Sequence, residues 1–134
     1  MPNINVTNVN IGPSPILQDA DFRDDLLTFA GAATVAAGTI LARDSVSLKL
    51  VPFVKGGTTN GNGDPKAVLT YDVEAGAAGD VPVRAGITGK YRKELLIIAA
   101  DGDDSEVDAA VIDQLRDYGL TPIDVDELNI LDNQ

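Results

Sequence analysis

Short apolar runs that alternate with polar residues recur along the chain and predict a β-rich fold. The strand signals fall at residues 39–42, 46–50, 67–71, 81–87 and 95–98. Each run is short and is bounded by Gly, Pro, Asp or Ser, as is typical of strands between turns. Pro52 cannot donate to a β-ladder, so we expect the second strand to end there or to lie at a sheet edge.

Two further segments show helical spacing. In residues 19–30, Phe22, Leu26 and Leu27 fall on one side of a predicted short helix, with acids in its first turn, where they suit the positive end of the helix dipole.

A second helix is predicted at about residues 106–118, where Val107, Val111, Leu115 and Tyr118 share one face. Ser105 is its expected cap, with Asp108 three residues later. Gly119 supplies the expected stop, and Pro122 prevents continuation.

The first fifteen residues have a strand-like pattern of their own. Ile4 and Val6 alternate with Asn, and after a slip of one residue the alternation resumes at Val9 and Ile11. Residues 12–15, Gly-Pro-Ser-Pro, form a stiff linker that is poor in donors. This segment is either an edge strand of its own domain or an arm that orders by pairing with another chain, and we favour the arm. Its predicted contact residues are Asn3, Ile4, Asn5, Val6, Thr7, Val9 and Ile11.

The expected organisation is therefore an arm at residues 1–15 followed by one β-rich domain at residues 16–134. The fold class is α+β, mainly β, with a small sandwich-like or barrel-like body and one or two short helices. Residues 55–64 are predicted to be a flexible loop, and residues 74–80 a small, mobile link. The tail from Ile123 to Gln134 could add one weak strand.

Charge and composition narrow the function. The net charge of −11 disfavours phosphate backbones and anionic membranes, so we expect no nucleic-acid partner and no membrane partner. The cluster of Arg84, Lys90, Arg92 and Lys93 is best explained as a solvated strand edge. The absence of Cys and His removes disulfides, the usual zinc sites and imidazole catalysis. No apolar run has the roughly 20 residues of a membrane span, and the first residues lack the pattern of a secretory signal.

No motif points to catalysis. The acidic residues 101–106 resemble a calcium loop only superficially, because Glu106 and Ile112 stand where an EF-hand needs Gly and an acid. Residues 61–63, Gly-Asn-Gly, lack the strand, helix and Lys of a phosphate loop. Ser45, Ser47 and Ser105 have no His base. We therefore expect no catalytic residue, no cofactor and no metal site, and we predict that the protein is not an enzyme.

Several short motifs, in order and with suitable spacing, resemble the head decoration proteins of lambda-type tailed phages. The matching pieces lie at residues 38–41 (GTIL), 49–53 (KLVPF), 67–73 (AVLTYDV) and 79–86 (GDVPVRAG), and they are followed by Leu95. Residues 115–120 (LRDYGL) are similar to the end of longer relatives.

The resemblance implies a β-tulip-like body that forms homotrimers on the outside of an expanded phage head. It also implies that the N-terminal arm adds a strand to the major capsid protein, that the trimer stabilises the head against internal DNA pressure, and that the protein is made in the bacterial host cytoplasm. The alternative is another self-assembling virion or surface β-module, such as a tail-tube or fibre domain.

Overall fold

The computed structural model describes residues 14–124, and within that range the chain forms eight strands and one α-helix. In chain order the elements are β1 (Ile16–Phe29), β2 (Ala33–Val35), β3 (Ile40–Arg43), β4 (Leu50–Pro52), β5 (Pro65–Leu69), β6 (Val73–Ala75), β7 (Gly79–Arg92), a 3₁₀ turn (Lys93–Leu95), α1 (Ala109–Asp117) and β8 (Leu120–Ile123).

Five of the strands close into a barrel. The order across the sheet is β1-β4-β3-β5-β7-β8, and β1 also pairs with β7, so that β1, β4, β3, β5 and β7 form a ring. β8 lies outside the ring and runs parallel to the end of β7 from Gly89 to Arg92. β2 and β6 form a separate antiparallel ribbon. The prediction of a mainly β, barrel-like body with a short helix is confirmed.

The longest ladder joins β1 to β7, which are antiparallel from Phe22 opposite Gly86 to Phe29 opposite Gly79. Nearer the start of β1 the register shifts several times, and Asp19 has a positive φ of 58°. These irregularities face Gly89, whose missing side chain lets the backbone of Ala20 come close. A Cβ at Gly89 would lie 2.6 Å from the Cα of Ala20, so this close approach requires glycine.

Strands β3 and β5 are buried on both faces. Leu41, Ala67 and Leu69 belong to a core cluster with Leu27, Leu50 and Val83, which lines the barrel. The alternate residues Ile40, Ala42 and Val68 belong to a second cluster that also contains the following residues: Phe53, Tyr91, Leu96, Ile98, Val107, Val111, Leu115 and Leu120. This burial on two sides explains why residues 39–42 and 67–69 are nearly continuous apolar runs.

The predicted C-terminal helix is present, but it begins later than expected. Asp108, rather than Ser105, is the N-cap, and its carboxylate accepts a hydrogen bond from the Val111 N–H at 3.1 Å. Val107 precedes the cap and is buried with Val111 and Leu115 in the second cluster. The helix ends as predicted, because Gly119 adopts a φ of +84° after it.

The predicted helix at residues 19–30 is wrong, because this segment is strand β1. Phe22 and Leu26 are four residues apart, and this spacing puts two side chains on one face in a strand as well as in a helix. The ladder with β7 decides between the two structures. It points Leu27 into the barrel and leaves Phe22 and Leu26 on the outer face.

The predicted strand at residues 46–50 is also wrong for residues 46–49, because β4 begins only at Leu50. Asp44 holds the preceding residues in a turn, because its carboxylate accepts hydrogen bonds from the N–H groups of Val46 at 2.8 Å and Ser47 at 3.0 Å. Leu48 completes the turn with a φ of +64°. The apparent alternation of Val46, Leu48 and Leu50 therefore does not place them on one strand face.

Smaller differences occur elsewhere. Residues 95–98 form the end of the 3₁₀ turn and two isolated bridges, Thr39 with Ile97 and Ile98 with Asp103, instead of a strand. The predicted link at residues 74–80 contains the end of β6 and the start of β7. The strands predicted at 39–42, 67–71 and 81–87 are confirmed within a few residues as β3, β5 and part of β7. The tail contributes Ile123 to β8, and residues 125–134 lie outside the described residues.

Gly38 should tolerate no side chain. Its φ is +94°, and a methyl group there would overlap the carbonyl oxygen of Leu95. We expect Gly38→Ala to lower the free energy of unfolding by about 2–4 kcal/mol, measured by urea denaturation. Gly76→Ala is the matched control, since nothing lies within 4 Å of its added Cβ, and it should be neutral or slightly stabilising. Equal effects of the two substitutions would contradict the packing described.

Tyr91 should make the fold sensitive to alkali. Burial, reinforced by the charge of Asp21, raises the pKa of Tyr91 from 10.0 to about 12. Because the folded-state pKa is higher, this stabilisation is complete below about pH 10 and is lost as the pH rises toward 12. Tyr91→Phe removes a hydrogen bond to the Thr88 carbonyl and should cost about 1 kcal/mol at pH 7. The difference in unfolding free energy between wild type and Tyr91→Phe should shrink from pH 9 to pH 12, and a constant difference would refute this role.

Candidate functional site

The residues at the base of the predicted arm, Ser14 and Pro15, form hydrogen bonds in the described structure. Pro15 is buried, its carbonyl accepts a hydrogen bond from the Arg92 N–H at 2.8 Å, and it packs beside Gly38. The Ile16 N–H donates to the Ser14 hydroxyl at 3.1 Å. Whatever precedes Ser14 therefore starts from a fixed point at the end of β7. The predicted contact residues, Asn3, Ile4, Asn5, Val6, Thr7, Val9 and Ile11, lie outside the described residues.

A shallow cleft of about 220 Å³ lies next to the base of the arm. Pro15, Ala37 and Ile97 line one part of it, and Glu94, Asp103 and Asp104 make its rim acidic. Within residues 14–124, no group of three or more His, Cys, Asp or Glu side chains could hold a metal ion.

A second surface lies far from the arm, near the other end of β1. Residues 16 and 26 are separated by ten strand positions, or roughly 30 Å. There the turn between β3 and β4 exposes Val46, with 76% of its surface accessible, and Leu48, with 64%. Beside the turn, the outer face of the β1–β7 ribbon exposes Phe22 and Leu26. We call Phe22, Leu26, Val46, Leu48 and the exposed Pro82, which stands opposite Leu26, the apolar surface.

Arg43 fixes the turn against the ribbon. One guanidinium nitrogen donates to the Leu48 carbonyl at 2.8 Å, and the other donates to the Asp25 carboxylate at 2.7 Å. Burial opposes ionisation of Asp25, but hydrogen bonds from Arg43 and from the Leu26 N–H outweigh it and lower the pKa of that carboxyl. One guanidinium group therefore holds the Leu48 backbone to Asp25 of β1.

A second ion pair connects the same turn to the start of β7. Lys49 lies 2.5 Å from the Asp80 carboxylate, which also accepts a hydrogen bond from the Thr28 hydroxyl at 2.8 Å. The hydrogen bonds from Lys49 and then Thr28 lower the pKa of Asp80. The turn is therefore held to both strands of the ribbon while its apolar side chains point into solvent.

The basic residues grouped in the sequence have separate partners in the fold. Arg84 lies over the Phe22 ring at 5.1 Å, Lys90 pairs with Asp19 at 3.1 Å, and Lys93 lies 3.9 Å from Asp104. Arg92 is opposite Ile123 in the β7–β8 ladder. The prediction of a strand edge is wrong, because β7 pairs with β1 on one side and with β5 and then β8 on the other, and Lys93 lies in the 3₁₀ turn.

The acidic residues 101–106 form the turn before α1. Hydrogen bonds from the Ser105 hydroxyl and from the Ser105 N–H, the latter at 2.9 Å, lower the pKa of Asp103. Residues 61–63 lie in a loop that is closed by its own hydrogen bonds, since the Asn62 carbonyl accepts from the Val54 N–H and its side-chain oxygen accepts from the Thr59 N–H. Among residues 14–124, no helix is long and apolar enough to cross a membrane.

Sequence reasoning missed the apolar surface. The sequence pattern predicts a strand for Val46 and Leu48 and one side of a short helix for Phe22 and Leu26, whereas all four side chains are exposed in the structure. The available signal was Asp44 followed by two serines among the next three residues, which is a composition typical of a side-chain-stabilised turn.

Residues 14–124 form a small β-barrel module with one α-helix packed on its outside. A model of the family described as bacteriophage lambda head decoration protein D matches residues 16–120. The chain therefore belongs to this family of phage head decoration proteins. Among curated proteins, none matches the chain. The family is structural, and its description supports a role on the phage capsid.

Removing the Asp25 carboxylate should loosen the turn. Asp25→Asn should lower the unfolding free energy by about 1.5–3 kcal/mol at pH 7, because a charged hydrogen-bond acceptor for Arg43 is lost. Since the folded-state pKa of Asp25 is lowered, its contribution is present above the unfolded pKa of about 4 and is lost as the pH falls through the folded value.

Urea denaturation at pH 7 and at low pH tests this prediction, and the gap between wild type and variant should narrow in acid. Asp24→Asn is the control, because Asp24 is exposed on the neighbouring position of β1. An effect of Asp24→Asn as large as that of Asp25→Asn would contradict the assignment.

Proposed function

We propose that this protein is a capsid cement, which binds the outside of the expanded head as a homotrimer and stabilises it against the pressure of packaged DNA. In this proposal the arm at residues 1–15 adds a strand to the major capsid protein, and the domain at residues 16–134 bridges neighbouring subunits of the shell. The family match over residues 16–120 is the observation that carries the proposal.

The fixed base of the arm supports this mechanism. Pro15 is bonded to the end of β7 and Ser14 to Ile16, so the arm leaves each subunit at one defined place. A strand that docks by β-augmentation gains affinity from main-chain hydrogen bonds and register from alternate side chains. A fixed starting point reduces the conformational freedom that the arm loses when it docks.

Several arms acting together would give firm binding. Each residue ordered on docking costs about 1–2 kcal/mol of conformational entropy, which roughly offsets the hydrogen bonds and apolar contacts of a short strand. A single arm is therefore marginal. Three arms on one trimer bind at high effective concentration once the first has docked, so the trimer can remain attached when one arm dissociates.

The arm is tested by substitutions that keep its length. Replacing Ile4, Val6, Val9 and Ile11 by Ser should abolish co-sedimentation with undecorated expanded shells, because the residues that set the register are lost. Replacing Asn8 and Asn10 by Ser is the matched control, because neither belongs to the predicted contact residues, and this variant should retain most of the binding. Deleting residues 2–12 should also leave a folded trimer that no longer binds.

Electron microscopy of the mixtures would separate this proposal from the alternative class. Density on the outside of the expanded shells supports the cement function. Open-ended filaments formed by the protein alone would favour a tail-tube or fibre module. Retained shell binding after deletion of residues 2–12 would overturn the role assigned to the arm.

A further inference from the structure

We propose that Asn60 is a site of spontaneous deamidation, and that the fold directs this reaction to Asn60–Gly61 while it protects the neighbouring pair Asn62–Gly63. The proposal concerns a covalent modification of the chain and is independent of the arm and of the capsid function. Three observations carry it: the pairing of each asparagine with glycine, the different exposure of the two pairs, and the different way in which the two side chains are held.

The loop between β4 and β5 contains two Asn-Gly pairs, at residues 60–61 and 62–63. Asparagine is chemically labile because the backbone nitrogen of the next residue can attack its side-chain carbonyl carbon. Glycine has no Cβ to hinder this approach, and its backbone adopts unusual conformations at low cost. The two pairs are alike in this respect, so a large difference between them must come from the fold.

Asn60 is open to reaction. Its side chain is exposed, its φ is +50°, and Gly61 follows with a φ of +80°. Within residues 14–124 the Gly61 N–H donates no hydrogen bond, so no such bond has to break before this nitrogen attacks. The Asn60 side chain donates a hydrogen bond to the Asp44 carboxylate in the β3–β4 turn. That bond is accessible to water, which replaces it at little cost.

The fold holds the Asn62 side chain in place. Its oxygen accepts a hydrogen bond from the Thr59 N–H at 3.2 Å, and a Cβ on Gly57 would overlap this oxygen. The Asn62 backbone is also bonded on both sides, since its N–H donates to the Thr59 carbonyl at 3.0 Å and its carbonyl accepts from the Val54 N–H at 2.8 Å. Rotation of the side chain toward the next nitrogen would break the bond to Thr59.

Gly63, whose nitrogen would attack Asn62, is fixed as well. It is buried, a Cβ on it would overlap the Gly57 carbonyl, and its own carbonyl accepts a hydrogen bond from the Gln114 side chain at 3.1 Å. Reaction at Asn62 therefore requires the loop to open locally, and the fraction of molecules that are open sets its rate. Reaction at Asn60 needs no such opening.

The reaction uses only water and hydroxide. Hydroxide removes the Gly61 amide proton, and the nitrogen attacks the side-chain carbonyl carbon of Asn60. A C–N bond forms to give a succinimide ring, the bond from that carbon to the side-chain nitrogen breaks, and ammonia leaves with a proton from water, which restores hydroxide. Water then opens the ring at either carbonyl and gives aspartate or isoaspartate.

The product changes the charge beside the β3–β4 turn. The Asp44 carboxylate holds this turn through the N–H groups of Val46 and Ser47, and the Ser45 N–H donates to the Asn60 carbonyl at 2.9 Å. A carboxylate at position 60 replaces a hydrogen-bond donor to Asp44 by a like charge. Isoaspartate in addition inserts a methylene group into the main chain beside the carbonyl that Ser45 contacts. Deamidation therefore weakens the turn.

The test follows both asparagines in one peptide. The full-length, folded chain is aged in mildly alkaline buffer and digested with trypsin at intervals, and cleavage after Lys55 and Lys66 releases residues 56–66. Fragmentation of this peptide in the mass spectrometer reports conversion at each asparagine, so each serves as the reference for the other. We expect Asn60 to react about tenfold faster than Asn62 or more, because only Asn62 waits for local opening.

Ageing in concentrated urea is the control, because it removes the protection. The two asparagines should then react at similar rates, with Asn62 accelerated more than Asn60. Equal rates in the folded protein, faster reaction at Asn62 or no conversion of Asn60 would overturn the proposal. An equally strong preference for Asn60 in urea would overturn it too, because the sequence and not the fold would then select the site.

A variant tests the protection directly. Gln114→Ala removes the hydrogen bond to the Gly63 carbonyl, so it should accelerate reaction at Asn62 by about threefold or more and leave the rate at Asn60 unchanged. Acceleration at Asn60 alone would contradict the protection assigned to the loop.

The effect of the product is tested with Asn60→Asp, and Asn60→Gly is the matched control. Glycine is compatible with the φ of +50° and removes the donor without adding a charge. The pKa of Asp44, followed by NMR titration, should be higher in Asn60→Asp than in Asn60→Gly, because a neighbouring negative charge opposes ionisation. The urea midpoint of Asn60→Asp should be the lower of the two, and added salt should narrow the gap. An Asp44 pKa that is no higher in Asn60→Asp would overturn the effect assigned to the modification.

Discussion

The antiparallel ladder between β1 and β7 is the constraint on which the rest of the structure depends. It closes the five-stranded ring, aligns Leu27 and Val83 with the apolar lining of the barrel, and leaves Phe22 and Leu26 outside. The irregular start of β1 at Asp19 depends on Gly89, because only glycine, which has no side chain, lets the Ala20 backbone come so close. Since β7 pairs with β1 along one edge and with β5 and then β8 along the other, one strand connects the barrel, the outer strand and the base of the arm.

This arrangement separates two surfaces that have different physical character. The base of the arm lies where β1 begins and β7 ends, beside an acidic cleft. The apolar surface lies toward the opposite end of β1, where the β3–β4 turn is fixed by Asp44 and Arg43.

The family assignment gives these surfaces a context, and the acidic exterior fits it. A net charge of −11 makes copies of the chain repel each other, which disfavours non-specific aggregation. The helix α1 and strand β8 complete the second core cluster on the outside of β3 and β5. The helix and β8 cover the apolar side chains that β3 and β5 present on the outside of the barrel, so these side chains are buried within the subunit.

The sequence by itself determined the β-rich class and the three strands at 39–42, 67–71 and 81–87, because these depend on local periodicity. It also determined the end of α1 at Gly119, which depends on a residue with an unusual backbone preference, and the family resemblance, which depends on the order of motifs. It misassigned residues 19–30, because Phe22 and Leu26 have a spacing that suits a helix and a strand equally well, and only pairing with β7 distinguishes them. It also placed a strand at residues 46–50, although the Asp44 carboxylate, which accepts from the Val46 N–H, and the Arg43 side chain, which donates to the Leu48 carbonyl, keep the residues before Leu50 in a turn. The closure of the barrel and the ion pairs that join Arg43 to Asp25 and Lys49 to Asp80 connect residues far apart in the chain, so the tertiary structure alone decided them.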